Sequence, residues 1–335
     1  MKDIVVDVHA HFIPGLLYER FAAHSGKFPG VRFDEKARRM QFPGGEQTRP
    51  ISPKLSDLAE RRAWMDQNGI DHQLLGGWLD IFGYELPAEE GLAWSRFYNE
   101  CMRAQLENEP RFTALATVPL QHGGHAAQVL RESLDQGFGG VMIGTLPRGN
   151  AGNLDDPVLD PFWQAASDLK AAVFLHPMFL CGEPRLADYD LVNAIGRLAD
   201  SSIAVSRLLF SGHLLKFAGM KLVLSHGGAA LPYALGRLAR NHTISQGKYA
   251  DPRKGFEALY FDSCVFDADT LEYLAQKASP ERIMLGSDMP FPIGDPKPCA
   301  CIENANFTAA QKRSILGSTA KQVFRLRDQP RGQDK

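Results

Sequence analysis

The feature that most restricts the fold of this chain is a regular alternation of short apolar segments with helical patterns. Eight such segments are predicted as strands, at 4–12, 72–78, 112–119, 140–146, 171–176, 221–225, 258–263 and 282–287. Strands that are apolar on both faces are typical of a parallel sheet covered by helices. Eight β/α units in one chain therefore favour a (β/α)8 TIM barrel over an open doubly wound sheet.

The same pattern indicates a single domain, at residues 1–327, followed by a polar C-terminal tail at 328–335. The long first loop, 14–53, has no clear periodicity, but 40–48 resembles a short hairpin around a Pro-Gly-Gly turn. A largely helical insertion is predicted after the fifth strand, at 186–219. Because the sequence has no G-x-G-x-x-G after the first strand and no Walker loop, a dinucleotide or phosphate-loop enzyme is not expected.

The composition, with 44% hydrophobic and 23% charged residues, is typical of a soluble globular protein with a large core. A formal net charge of -2 gives no electrostatic case for binding nucleic acid or an anionic membrane. No apolar run approaches the roughly 18 residues that a membrane span needs, and polar residues interrupt the N-terminus, against a signal peptide. Five cysteines without paired spacing indicate reduced thiols, so we expect a cytoplasmic location.

Four of the eight predicted strands end on a histidine or an aspartate. Strand one carries His9-x-His11, strand five ends at His176, strand six at His226-Gly-Gly and strand eight at Gly-Ser-Asp288. In such a barrel the C-terminal ends of the strands share one rim, where catalytic residues collect. His9 and His11 also point to the same face, because side chains alternate along a strand. These side chains predict a metal site at that rim.

The ordered His-x-His, His, His and Asp set resembles the amidohydrolase superfamily. Within it, the chain is similar to the aminocarboxymuconate-semialdehyde decarboxylase branch, also known as amidohydrolase family 2. The resemblance extends from Val6 to about Phe324 and includes two further pieces, at 65–69 and 231–237. Binuclear members of the superfamily close strand four with a carboxylated lysine. Since strand four here, 140–146, has no Lys or Glu at its end, one metal ion per chain is expected.

The resemblance assigns roles to the residues at the strand ends. His9, His11, His176 and Asp288 are expected to bind the metal through three imidazole nitrogens and one carboxylate oxygen. This ligand set suits Zn2+, which lowers the pKa of a bound water, although other transition metals stay open. Asp288 is also expected to act in catalysis by hydrogen-bonding that water. His226 is expected to be the general acid/base, and its alternative role is that of a further metal ligand.

Five further residues are candidates for the neighbourhood of the metal. Arg237 matches the arginine that family members extend across a dimer interface to hold a substrate carboxylate, so the resemblance implies a homodimer with Arg237 near the interface. Arg49 is the nearest candidate for a second family arginine, but it lies a few residues ahead of the family spacing. Trp78 and Phe82 are candidates for lining the pocket, with core packing as the alternative. Asp262 ends strand seven and is a candidate for supporting the ligands from outside.

We predict a metal-dependent decarboxylase, a carbon–carbon lyase, that acts on a small carboxylated unsaturated or aromatic compound. The alternative among enzymes is a metal-dependent hydrolase or hydratase of the same superfamily, acting on a C–C, lactone or amide bond. The alternative outside enzymes is an idle barrel that serves as a binding or scaffold protein, and the complete ligand set argues against it. Neither nucleic acid nor a membrane is expected as a partner.

Overall fold

Eight parallel strands form the centre of the protein, whose computed structural model describes residues 4–45, 47–149, 151–178 and 182–326. The strands are β1 (Val6–His11), β4 (His72–Gly76), β5 (Phe112–Ala116), β6 (Gly140–Gly144), β7 (Ala172–His176), β8 (Lys221–Leu224), β9 (Tyr260–Asp262) and β10 (Ile283–Met284), paired in that order. Backbone hydrogen bonds from Val8 N to Leu285 O (2.9 Å) and from His11 N to Met289 O (2.8 Å) join the last strand to the first. The predicted (β/α)8 barrel is confirmed.

Helices surround the barrel and connect its strands. They are α1 (Gly15–His24), α2 (Leu58–Gln67), α3 (Ala88–Leu106), α4 (Gly123–Asp135), α5 (Asp160–Asp168), α6 (Arg197–Phe210), α7 (His213–Lys216), α8 (Leu231–Ile244), α9 (Pro252–Phe256), α10 (Ala268–Ala278), α11 (Pro298–Asn304), α12 (Ala309–Arg313) and α13 (Thr319–Val323). A π-helical turn (Val192–Gly196) leads into α6, and this region is the predicted helical insertion. No helix in the described part of the chain has the length and hydropathy that a membrane crossing requires.

The first loop contains a hairpin, but at an earlier position than the sequence predicts. β2 (Arg32–Asp34) pairs in antiparallel fashion with β3 (Arg39–Gln41), so the predicted position at 40–48 is wrong. The Pro-Gly-Gly segment does turn the chain, because Thr48 N donates to Met40 O at 2.7 Å. The Thr48 hydroxyl then accepts from Met40 N (3.0 Å), and this side-chain bond occupies a donor that a strand ladder would use.

The first barrel strand shows how the fold positions the functional residues. All six residues of β1 are buried, and polar residues alternate with apolar ones. Asp7, His9 and His11 therefore share one face, whereas Val6, Val8 and Ala10 share the other. The division into a domain at 1–327 and a tail at 328–335 stays a prediction, since residues 327–335 lie outside the described residues.

Candidate metal centre

Five side chains converge at the mouth of the barrel, where the C-terminal ends of the strands meet. His9 and His11 lie at the end of β1 and His176 at the end of β7, whereas His226 and Asp288 lie in the loops that begin after β8 and β10. The ring centroids of His11 and His176 are 4.7 Å apart, and those of His9 and His226 are 5.1 Å apart. Asp288 Oδ1 lies 3.4 Å from His9 Nε2 and 3.1 Å from His11 Nε2. The fold thus brings together all five residues of the predicted metal site.

Hydrogen bonds fix the outer nitrogen of three imidazoles. His9 Nδ1 lies 2.6 Å from Asp262 Oδ2. His11 Nδ1 contacts the carbonyl oxygen of Gly77 (2.9 Å), and His176 Nδ1 contacts that of the following proline (2.8 Å). Since a carbonyl oxygen only accepts, Nδ1 of His11 and His176 carries the proton and Nε2 has a lone pair that faces the centre. Metal-binding histidines are typically held in this way.

The atoms that face the centre have no hydrogen-bond partner among the described residues. These buried atoms are Nε2 of His9, His11 and His176 and Oδ1 of Asp288. Each such atom costs about 1–3 kcal/mol if nothing binds it, so the group as a whole indicates a ligand. One ligand atom each from His9, His176, His226 and Asp288 lies within 4.8 Å of the other three. Imidazole nitrogens with a carboxylate oxygen fit a divalent transition metal, and the site is a divalent metal site.

The charges within the centre favour the forms that bind a cation. Burial alone would raise the pKa of Asp288, but attraction to the imidazoles of His9, His11 and His226 outweighs it and holds that pKa well below its usual range. Burial lowers the pKa of His176 far below that of a free imidazole, and the neighbouring histidines lower it further. An ionised carboxylate and a neutral imidazole are the states that a metal ion requires of these ligands.

Asp262, the last residue of β9, connects three parts of the site. Its Oδ2 contacts His9 Nδ1, and its Oδ1 accepts hydrogen bonds from the backbone N–H groups of Gly227 (2.8 Å) and Cys264 (3.1 Å). Burial would raise the pKa of Asp262, but the contact with His9 outweighs it and keeps the carboxyl ionised. One carboxylate therefore orients a metal ligand and also fixes the turn that begins at His226.

A buried network beneath the ligands joins the first strand to the last. Asp7 accepts hydrogen bonds from the hydroxyl (2.5 Å) and the N–H (3.0 Å) of Ser287 and from Gln73 Nε2 (2.7 Å). Arg61 of α2 is completely buried and donates to Gln73 Oε1 (2.8 Å) and to the carbonyl oxygen of His11 (2.6 Å). Because Ser287 directly precedes the aspartate ligand, this network fixes that ligand relative to β1.

Backbone conformation also shapes the centre. His226 and Asp288 have positive φ angles, 54° and 62°, which side-chain-bearing residues adopt at an energetic cost and which cluster at functional sites. Gly286 allows two strands to approach closely: a Cβ at this position would lie 2.8 Å from Cβ of Asp262 and 3.0 Å from Cβ of His9. A side chain at Gly286 would therefore displace the ligand His9 or its partner.

Comparison with known proteins assigns the family. A model of the amidohydrolase family Amidohydro_2 matches residues 6–326. The chain belongs to this family. It is 27% identical to 2-amino-3-carboxymuconate-6-semialdehyde decarboxylase of Dictyostelium discoideum over 97% of the chain and 92% of the relative. It is also 27% identical to gamma-resorcylate decarboxylase of Polaromonas sp., over 82% of the chain and 90% of the relative.

Solved structures agree with this assignment. The crystal structure of 5-carboxyvanillate decarboxylase from Sphingomonas paucimobilis has a TM-score of 0.80 and 25% identity, and the match covers 97% of this chain and 100% of that one. A 5-carboxyvanillate decarboxylase from Novosphingobium aromaticivorans, solved in complex with manganese, has the same fold at a TM-score of 0.80 and 20% identity, over 97% of each chain. The predicted resemblance to the decarboxylase branch of the amidohydrolases is confirmed.

Two of the predicted substrate-binding residues of this amidohydrolase lie beside each other. The half-exposed guanidinium of Arg49 lies over the ring of Trp78, 5.4 Å from its centroid, and 3.4 Å from Asp80 Oδ2. Trp78 is buried and directly follows Gly77, whose carbonyl oxygen contacts Nδ1 of the predicted ligand His11. Arg49 is thus connected to the metal centre through Trp78 and the neighbouring Gly77.

The other two predicted residues, Phe82 and Arg237, lie in different environments. Phe82 is 1% exposed and packs edge-on against Tyr84 and Tyr98 in the core. Arg237 is exposed on α8 and is not among the described residues that line the cavity beside the metal centre of its own chain. The role of both residues in substrate binding stays a proposal.

A cavity of about 490 Å³ lies directly beside His226 and Asp288. This volume falls within the usual range of small-molecule sites. The helical insertion contributes Asn193 and Arg197 to its wall, and the loop after β9 contributes Phe266. None of these three residues is foreseen from the sequence, because no motif or strand end marks them.

Proposed function

We propose that this amidohydrolase is a mononuclear, metal-dependent decarboxylase of a small aromatic or unsaturated carboxylic acid. The observation that carries the proposal is the set of buried, unpartnered ligand atoms that face one centre beside a cavity. The decarboxylase relatives match most or nearly all of this chain, and they confirm the predicted class of carbon–carbon lyase. The choice of acid within that class is open, since the named relatives act on different ones.

The proposed ligands are the imidazoles of His9, His11 and His176 and the carboxylate of Asp288. When bound, a divalent cation supplies positive charge that attracts the carboxylate of a substrate and stabilises negative charge on it. The protein holds the ligands rigidly, because each of the three imidazoles is fixed at Nδ1 by a second group. This rigidity keeps a bound acid in one orientation relative to His226.

His226 is proposed as the proton donor. Its imidazole lines the cavity, and its Nε2 lies 3.6 Å from Asp288 Oδ2. When the bond between the substrate carbon and the carboxyl group breaks, the electron pair stays on that carbon and CO2 leaves. The carbon then takes a proton from His226, so that hydrogen replaces the carboxyl group. Asp288 orients the imidazole for this transfer.

Three finer points belong to the same proposal. Zn2+ suits the three-nitrogen, one-oxygen ligand set, whereas the similar solved structure holds manganese, so metal analysis of the purified protein decides between them. A homodimer is proposed because the family resemblance places Arg237 at a dimer interface, and the exposed position of this side chain, away from the cavity of its own chain, is compatible with that role. The cytoplasmic location rests on the cysteine pattern alone.

The substitution His226→Asn tests the assignment of roles. We expect the variant to keep its metal and to lose at least about a hundredfold in CO2 release, since the loss of a general acid typically has an effect of this size. Metal content and CO2 release from a panel of aromatic and muconic acids are measured together. His242→Asn, at a partly exposed position on α8 where the imidazole contacts Tyr249 O (3.0 Å), is the matched control and should change neither quantity.

Two results would contradict the assignment. A parallel loss of metal and turnover in His226→Asn would make His226 a ligand, as its place in the group of four mutually close ligand atoms allows. Formation of a hydrolysis or hydration product without CO2 would favour the alternative hydrolase or hydratase activity.

A further inference from the structure

The lining of the cavity beside the metal centre combines several apolar side chains with a few polar ones. Leu198, Val265, Phe266 and Ile293 form apolar parts of its lining. Arg197 is the one Lys or Arg among the described lining residues. A flat apolar ring fits between such walls, and the guanidinium offers a binding partner for an anionic group on that ring.

The helix that carries Arg197 is fixed to the metal centre by Asp200. Asp200 Oδ2 accepts hydrogen bonds from Thr145 Oγ1 (2.5 Å), beyond the end of β6, and from Met178 N (2.8 Å). Met178 lies two residues after the ligand His176. Because residues three apart lie on the same side of a helix, this anchor also sets the position of Arg197.

The guanidinium itself lies close to the ligands. Arg197 Nη1 is 3.5 Å from the carbonyl oxygen of Pro177, which also accepts the Nδ1–H of His176. The carboxylates of Asp288 and Asp80 attract the charge of Arg197. The preceding π-helical turn (Val192–Gly196) brings Asn193 and Arg197 to the same cavity, and such turns often occur at functional sites.

We propose that Arg197 is a specificity-determining residue that binds a second anionic group, a carboxylate, on the ring of an aromatic acid whose first carboxylate faces the metal. The inference deepens the proposed function and rests on it. The substrate class is then an aromatic dicarboxylate in preference to a monocarboxylate. A guanidinium suits this role because it forms two parallel hydrogen bonds with one carboxylate.

The test compares the binding of isophthalate, with two carboxylates, and benzoate, with one, to the metal-loaded protein by titration calorimetry. We expect the wild-type protein to bind isophthalate about ten to a hundred times more tightly, the effect of a hydrogen-bonded charged pair. Arg197→Met should remove this preference and leave the metal content unchanged. Arg197→Gln provides the same test if the Met variant does not fold.

The matched control is Arg207→Met on the same helix. Arg207 is half-exposed and pairs with Asp155 (2.7 Å), and it does not line the cavity. This variant should keep the full preference for isophthalate. A wild-type protein without a preference, or an Arg197 variant that retains it, would overturn the proposal.

The inference and the proposed function fail in different ways. If binding preference depends on Arg197 but no acid releases CO2, the inference stands and decarboxylation is wrong. If an aromatic dicarboxylate releases CO2 and Arg197→Met leaves its KM unchanged, decarboxylation stands and the role of Arg197 is wrong. A raised KM with little change in kcat is the result expected of a residue that holds a group remote from the reacting bond.

Discussion

The two ends of the barrel both contain buried polar side chains, but they use them in different ways. At the mouth, the Nε2 atoms of His9, His11 and His176 have no partner among the described residues. At the opposite end, His72 Nε2 lies 2.9 Å from Thr113 Oγ1, and the histidine is satisfied within the protein. Buried polar groups are normally hydrogen-bonded, so a cluster of three unpartnered imidazole nitrogens marks the functional end.

Cavity size does not distinguish the two ends. A cavity of about 670 Å³ lies at the end that contains His72, and the one beside the metal centre is smaller, about 490 Å³. Cationic groups near the larger cavity bind backbone carbonyl oxygens: Lys221 Nζ donates to Gln322 O (3.1 Å), and Arg325 Nη2 donates to Leu169 O (2.9 Å). The opposite end therefore stabilises the barrel, as is usual for this fold.

Replacing one histidine at each end tests this contrast most directly. We expect His9→Ala to lose the bound metal and CO2 release, with an effect larger than the roughly 10–100-fold caused by losing an outer-shell partner. His72→Gln should keep the metal and the activity, because His72 lies at the other end of the barrel. Elemental analysis and a CO2 assay measure both quantities. Equal metal loss in the two variants would show that the contrast is wrong.

Asp262→Asn tests whether a residue that orients a metal ligand, without binding the metal itself, contributes to metal affinity. The carboxylate fixes His9 Nδ1 (2.6 Å) without being one of the proposed ligands. We expect metal affinity to fall about 10–100-fold, since a neutral amide orients the imidazole less firmly. Competition against a metal-binding dye measures this change, and Asp251→Asn, at the partly exposed N-cap of α9, is the control. An unchanged affinity would remove Asp262 from the support of the site.

The strand ends are predictable from the sequence because their spacing translates directly into position. Residues two apart on a strand share a face, and parallel strands of a barrel end on the same rim. The positions of His9, His11, His176, His226 and Asp288 at one rim are therefore predictable from the sequence alone. Their partners on helices are not: Arg61 is fully buried and Arg197 lines the cavity, although charged helical residues usually lie on the surface.

The hairpin shows a second limit of sequence analysis. The Pro-Gly-Gly segment has the composition of a hairpin turn, yet the observed hairpin turns at residues 35–38, which include neither Gly nor Pro. Arg38 occupies a left-handed position there, with a φ of 53°. Its guanidinium donates to Ile51 O (2.9 Å) and lies over the ring of Tyr18, 5.7 Å from its centroid. These tertiary contacts stabilise a turn that local preference alone does not indicate.

The pH dependence of stability offers the finest test of the contrast, because it isolates the structural end. Burial, followed by repulsion from Arg111, lowers the pKa of His72 to about 4. The folded protein thus holds the proton of His72 more weakly than the unfolded chain, in which the pKa is about 6.5. The stability that neutral His72 contributes is complete above about pH 6.5 and is lost as the pH falls towards 4.

The expected size is about 2 kcal/mol of unfolding free energy lost between pH 7 and pH 5. Urea unfolding of the wild-type protein and of His72→Gln at both pH values measures it, and the variant should lack this part of the pH dependence. Both proteins retain the metal ligands. The titration of those ligands therefore cancels when the change in unfolding free energy of the variant is subtracted from that of the wild type. If His72→Gln and the wild type lose the same free energy on acidification, His72 is charged in the folded state. His72 would then not be a neutral imidazole that is satisfied by hydrogen bonding within the protein. The contrast between the two ends of the barrel would be wrong.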